Sequence, residues 1–95
     1  MIKIQVRYFL NEEGEKFFPG WFERVLDGSS KQDGFVQMMC RFEQNNIVVV
    51  HLDFLNQATL NQWKETELHA SLSSQIEPYL SKPKEVSVSF ETLSL

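Results

Sequence analysis

Residues 2–9 alternate in polarity, with Ile2, Ile4, Val6 and Tyr8 on one side and Lys3, Gln5, Arg7 and Phe9 on the other. A period of two predicts a strand. Asn11-Glu12-Glu13-Gly14 then reads as a turn. Pro19 suits the first turn of a helix better than its interior. A helix is therefore predicted to start near Pro19, with Phe18, Trp21, Phe22, Val25 and Leu26 as its apolar stripe. Gly28-Ser29-Ser30 weakens that helix, and Asp33-Gly34 marks a turn. Residues 35–42 (FVQMMCRF) predict a second strand and residues 47–54 (IVVVHLDF) a third, joined by the polar link Glu43-Gln44-Asn45-Asn46. The valine run of the third suits a central position.

Asn56 is an expected N-cap for a helix through Ala58, Leu60 and Trp63. Thr66 is expected to cap a second helical piece carrying Leu68, Leu72, Ile76, Tyr79 and Leu80. Pro78 interrupts that piece, and Ser81-Lys82-Pro83 closes it. Residues 85–94 alternate again, with Val86, Val88 and Phe90 on one face. The order β-α-β-β-α-β predicts an α+β, ferredoxin-like fold, an antiparallel four-stranded sheet with both helices on one face. With 95 residues, one domain, 1–95, is the expectation.

The helix-side face is expected to hold Ile2/Ile4/Val6/Tyr8, Val36/Met38/Cys40/Phe42, Val48/Val50/Leu52/Phe54 and Val86/Val88/Phe90. The opposite face then mixes Phe9, Phe35, Met39, Ile47 and Val49 with Gln5, Arg7, Gln37, Arg41, His51, Asp53, Ser87 and Ser89. Such a mixture fits a subunit interface better than free solvent. A homodimer with the two sheets facing each other is the expectation. It also suits a chain so short, which buries only about 60–65% of its unfolded surface.

Composition narrows the function classes. Thirteen acidic against nine scattered basic residues make a net charge of −4. Without a basic patch, neither nucleic acid nor a membrane surface is an expected partner. The single cysteine, Cys40, can form no internal disulfide, which fits a reducing cytoplasm. The N-terminal stretch lacks the apolar core of a signal peptide. No apolar run approaches the ~18 residues of a membrane span.

Candidate chemistry concentrates on Trp63 and His69. Six residues of uninterrupted helix amount to about 600°, which would point the two about 120° apart. They converge only if the chain bends near Lys64-Glu65-Thr66. A histidine at the edge of an apolar cavity can act as a base, and an indole N–H can donate to a substrate oxygen. On spacing alone, the better reading is that Trp63 is core and His69 solvated. His51 and Asp53 alternate on one strand and offer two metal ligands at most; an ion cluster with Arg7 or Arg41 is the expected use. Cys40 reads as strand packing. Tyr8, Trp21 and Met38 are candidate pocket lining, and Asn61 is a further local polar candidate. There is no phosphate loop, serine elbow or HExxH motif.

The segment HLDFLNQATLNQWKETELHASLSSQIEPYL resembles the antibiotic biosynthesis monooxygenase family. The resemblance is carried by Phe54, Ala58, Leu60, Trp63, Thr66 and His69, and Asp33-Gly34-Phe35 is similar to the family's start of the second strand. It implies a dimeric α+β barrel with a small pocket between sheet and helices in each protomer. It also implies oxidation of small aromatic, phenolic, anthrone-type or quinol compounds by dioxygen, with no metal or flavin cofactor. Trp63 and His69 are the positions onto which the catalytic role carries over. The haem-degrading branch of this fold places an asparagine in the first strand; IKIQVRYF has none, so haem is disfavoured. The alternative from another class is a non-catalytic dimeric small-molecule-binding or stress-response module.

Overall fold

The computed structural model describes residues 1–91. Four strands, β1 (Ile2–Leu10), β2 (Phe35–Phe42), β3 (Ile47–Phe54) and β4 (Leu80–Phe90), form one antiparallel sheet in the order β2-β3-β1-β4. Helices α1 (Glu12–Ser30), α2 (Gln57–Lys64) and α3 (Glu67–Ile76) lie on one face, followed by a 3-10 turn at Glu77–Tyr79. This is the ferredoxin-like βαββαβ arrangement that the pattern predicts. The valine-rich β3 and the alternating β1 are the central strands, and their Ile2, Ile4, Tyr8, Val48, Val50, Leu52 and Phe54 meet Phe18, Trp21, Leu60, Trp63, Leu72 and Ile76 in the core.

The first helix departs from expectation. It begins at Glu12, not near Pro19, and continues through Gly28-Ser29-Ser30. The side chain of Asn11 accepts from the Gly14 N–H at 2.8 Å, and Glu12, Glu13 and Glu15 lie at the positive end of the helix dipole. NEEG is thus a cap, not a turn. Pro19 sits inside the helix on its exposed side. The apolar stripe survives because burial of Phe18 and Trp21 outweighs one missing backbone hydrogen bond.

Two irregularities redirect side chains. In β2, Phe35 pairs with Phe54 but Gln37 pairs with Asp53, so Val36 is the extra residue of a bulge. Phe35 therefore turns to the helix side, where its ring meets Phe54 edge-on at 6.1 Å. Val36 is exposed, contrary to the expected assignment of both. In the edge strand β4 the register breaks opposite Tyr8, at Pro83. Edge position and bulge are where a sheet tolerates proline, so Ser81-Lys82-Pro83 belongs to the strand instead of closing a helix. β4 starts five residues before the predicted strand over 85–94, of which residues 92–94 lie outside the described residues.

The sheet face away from the helices is organised in rows across the strands. In one row Asp53, almost fully buried, accepts from Lys3 at 3.3 Å and from Gln37 at 2.7 Å. In the next, Gln5 and Met39 flank His51. In the third, Arg7 and Arg41 flank Val49 and both reach Glu43, at 3.8 and 2.8 Å. Val49 is fully buried between them, and Phe9 lies under Lys82, whose ammonium is 4.0 Å from the ring centroid. The expected pairing of His51 and Asp53 with Arg7 or Arg41 is thus not the one observed. Met39 is the large apolar side chain left exposed on this face, at 50%.

Candidate functional site

The helical layer is broken at Glu65, and the break makes the site. Asn56 caps α2 by accepting from the Thr59 N–H at 2.9 Å, as expected. Thr66 then does two things with one hydroxyl. It accepts from the His69 N–H at 3.1 Å, capping α3, and donates to the Trp63 carbonyl at 2.8 Å, closing α2. The chain turns between the two helices, and the 120° divergence of an unbroken helix disappears. The His69 ring now stands edge-on to the Trp63 indole, with centroids 5.2 Å apart and planes at 84°.

Beside this pair lies a cavity of about 330 Å³ between helices and sheet. Its floor is apolar strand, including Val6, Met38 and Leu52; its walls are Trp21, Val25, Trp63 and Leu72; Tyr8 reaches it from β1. Val86 and Val88 of β4 form an open side, each about half exposed. Of the predicted site residues, the fold brings together Tyr8, Trp21, Met38, Trp63 and His69. It does not include Asn61, which is on the exposed side of α2 and accepts from the Gln57 side chain at 2.8 Å. The helix period places Asn61 away from the buried Leu60 and Trp63.

The polar groups of the lining differ in their freedom. Trp21 Nε1 donates to the Leu72 carbonyl at 2.8 Å, so that indole ties α1 to α3 and is spent. Met38 is held beneath the end of α1, where Ser29 Oγ lies 3.8 Å from its sulfur. By contrast, among the described residues the Trp63 N–H, the Tyr8 hydroxyl and the His69 ring nitrogens have no hydrogen-bond partner. None of them is sealed away unsatisfied. Three residues with free polar groups therefore line an otherwise apolar space, which is the composition of a small-molecule site.

The electrostatics sort their protonation states. Burial, followed by the nearby Lys84 and Lys64 ammonium groups, pushes the His69 imidazole below its ordinary value. It is therefore neutral at pH 7 and able to accept a proton. Burial and the Glu77 carboxylate push the Tyr8 phenol above its ordinary range, so Tyr8 is a hydrogen-bond donor. The Cys40 thiol is also raised by burial, which makes it a poor nucleophile. Among the described residues, no three His, Cys, Asp or Glu side chains are grouped to hold a metal ion.

Lys64, Ser73 and Lys84 complete the mouth of the cavity and were absent from the residues singled out in the sequence. For Lys84 a signal existed: Lys84, Val86 and Val88 share the period of two, which continues the strand backwards. The bulge at Pro83 puts Lys84 on the cavity side and leaves Lys82 over Phe9 on the other. A second concavity, of about 410 Å³, lies on the opposite sheet face around Asp53 and His51. Its central carboxylate is already occupied by Lys3 and Gln37. Among the described residues no helix is long and apolar enough to cross a membrane.

No protein-family model matches the sequence, and no curated protein matches it. Solved structures do. Rv0793 from Mycobacterium tuberculosis superposes with a TM-score of 0.87 at 11% identity, over 98% of this chain and 96% of that one. An antibiotic biosynthesis monooxygenase superposes with a TM-score of 0.86 at 14% identity, over 98% of this chain and 100% of that one. SnoaB, a cofactor-independent oxygenase from Streptomyces nogalater, superposes with a TM-score of 0.85 at 14% identity, over 99% of this chain and 95% of that one. At such identities the likeness is one of backbone architecture, and it agrees with the resemblance seen in the sequence: this chain has the fold of the antibiotic biosynthesis monooxygenases.

Proposed function

We propose that the protein is a member of the antibiotic biosynthesis monooxygenase family that works as a cytoplasmic homodimer. In this reading it oxidises a small aromatic, phenolic or quinol-type compound with dioxygen and needs no cofactor. The observation that carries the proposal is the free, neutral His69 imidazole set against Trp63 at the edge of an apolar cavity. The shared fold with SnoaB supports the reaction class.

In this mechanism the ring of the substrate lies against Trp63 and the aliphatic floor. His69 removes a proton from an activated ring C–H or O–H. The Trp63 N–H and Tyr8 O–H donate to the substrate oxygen on which negative charge develops, and they are worth most in a space that excludes water. The resulting anion gives electrons to dioxygen and forms a C–OO− peroxide, which the His69 proton converts to C–OOH. Loss of water from that adduct takes a ring CH2 plus O2 to a C=O plus H2O. The proton returned to the peroxide regenerates His69, and the departing water takes its second hydrogen from the remaining ring C–H.

Oxygen uptake with an anthrone and with a hydroquinone tests the reading. The wild-type chain should exceed a His69→Ala variant by about 10²- to 10⁴-fold, the usual weight of a positioned general base. Equal rates would remove the catalytic role. Ligand binding accompanied by equal rates would instead favour the non-catalytic binding module.

A further inference from the structure

We infer that the pocket selects ring compounds that carry a carboxylate, held by the ammonium groups of Lys64 and Lys84 at its mouth while the ring fills the apolar interior. The inference rests on the reading of this cavity as a small-molecule site and adds which chemical class it takes.

The argument begins with the company the lysines keep. Lys3, Arg7, Lys31 and Arg41 each pair with a carboxylate. Lys16, Arg24, Lys64, Lys82 and Lys84 pair with none among the described residues, and of these five it is Lys64 and Lys84 that line the cavity. The cavity lining contains no aspartate or glutamate. Two uncompensated cations therefore share the rim of an apolar space in a protein whose net charge is −4. Their placement is structural. Lys64 ends α2, where it also complements the helix dipole. Lys84 is half-buried and turned to the cavity by the bulge at Pro83.

Both lysines line the cavity together with His69, one exposed and one half-buried, and the charge of each is felt by that imidazole. A carboxylate bound there would be flanked by Lys64, Lys84 and the Ser73 hydroxyl, while the ring reaches inward to Trp63 and Met38. A cavity of about 330 Å³ is at the small end of ligand sites. It suits an acid of one to three fused rings and not a larger polycycle. Low-dielectric walls strengthen the attraction of the rim for an anion, and added salt weakens it.

Calorimetric binding at near-neutral pH compares 1-hydroxy-2-naphthoate with 1-naphthol, which share a ring system and differ by the carboxylate. The naphthoate should bind about tenfold more tightly or better, the difference worth about 1.4 kcal/mol. The advantage should shrink in about 0.5 M NaCl. In a K64Q/K84Q variant the two affinities should converge through loss of naphthoate binding. Equal affinities in the wild type, an advantage that survives in the double variant, or no binding of either compound would overturn the inference. Circular dichroism of the double variant checks that both replacements, at exposed and half-buried positions, leave the fold in place. Naphthoate preference without oxygen uptake would refute the oxygenase reading alone; uptake on neutral hydroquinones without the preference would refute this one alone.

Discussion

The imidazole of His69 meets the indole of Trp63 edge-on, 5.2 Å between centroids, although an unbroken helix would hold the two side chains apart. One hydroxyl, that of Thr66, makes the difference. It ends one helix on the Trp63 carbonyl and starts the next on the His69 N–H.

Thr66→Ala should therefore cost stability and disturb the pair together. Loss of an N-cap amounts to about 1 kcal/mol, or a fall in Tm of about 4–8 °C for a domain of this size. Thr66→Ser keeps the hydroxyl and should restore most of the Tm, the affinity for a ring ligand and the near-ultraviolet circular dichroism of Trp63. An alanine variant with unchanged Tm and Trp63 signal would show that packing alone sets the geometry.

The protonation of His69 predicts a pH profile. Its folded-state value lies below the ordinary imidazole value of about 6.5. Turnover that needs the neutral ring should hold through pH 7 and fall only under more acidic conditions. Linkage has the same sign: the unfolded chain takes up the proton first. The stability contributed by neutral His69 is present above about pH 6.5 and is lost as pH drops from there to the folded-state value. Replacing Lys64 and Lys84 by glutamine should move the limb part of the way back, since burial is the larger cause and remains. NMR titration of the His69 ring measures this without turnover, and a wild-type midpoint at or above 6.5 would contradict it.

The row-by-row organisation of the second sheet face bears on assembly. Asp53, Val49 and Phe9 are already covered within one chain, which leaves Met39 at the centre of the exposed surface. Light scattering should give twice the chain mass of 11.1 kDa. Met39→Glu should return it to a single chain, because two such faces would then bury like charges. A wild-type mass of one chain would end the homodimer proposal.

Pro19 lies within α1 on its exposed side. An interior proline costs a helix about 3 kcal/mol relative to alanine. Pro19→Ala restores a donor without touching the core, so it should raise stability by at least about 1 kcal/mol in chemical denaturation. A loss of stability would mean that the helix geometry depends on the proline.

Much of this architecture was readable from one dimension. Strands Phe35–Phe42 and Ile47–Phe54 stand as the alternation and the valine run predict, and Asn56 and Thr66 cap the helices expected of them. Local chemistry decides such features: a period of two, an oxygen three residues ahead of an N–H. The misreadings came where local signals conflict with burial. Pro19 argues for a helix start, but Asn11 and three glutamates argue for an earlier one, and the buried Phe18 and Trp21 settle it. Pro83 argues against a strand, but an edge strand with a bulge accommodates it.

The chain alone determined the sheet, its helical cover and the presence of Trp63 and His69 on either side of a helix break, because these depend on neighbours a few residues apart. Tertiary structure decided which polar groups stay free. Trp21 and Trp63 are alike as residues and both line the cavity, yet one N–H is consumed by a carbonyl fifty-one positions away and the other has no partner among the described residues. It also decided that Lys64 and Lys84, twenty positions apart, share one rim. Whether a donor or a charge finds a partner depends on long-range packing, and no periodicity along the chain encodes that.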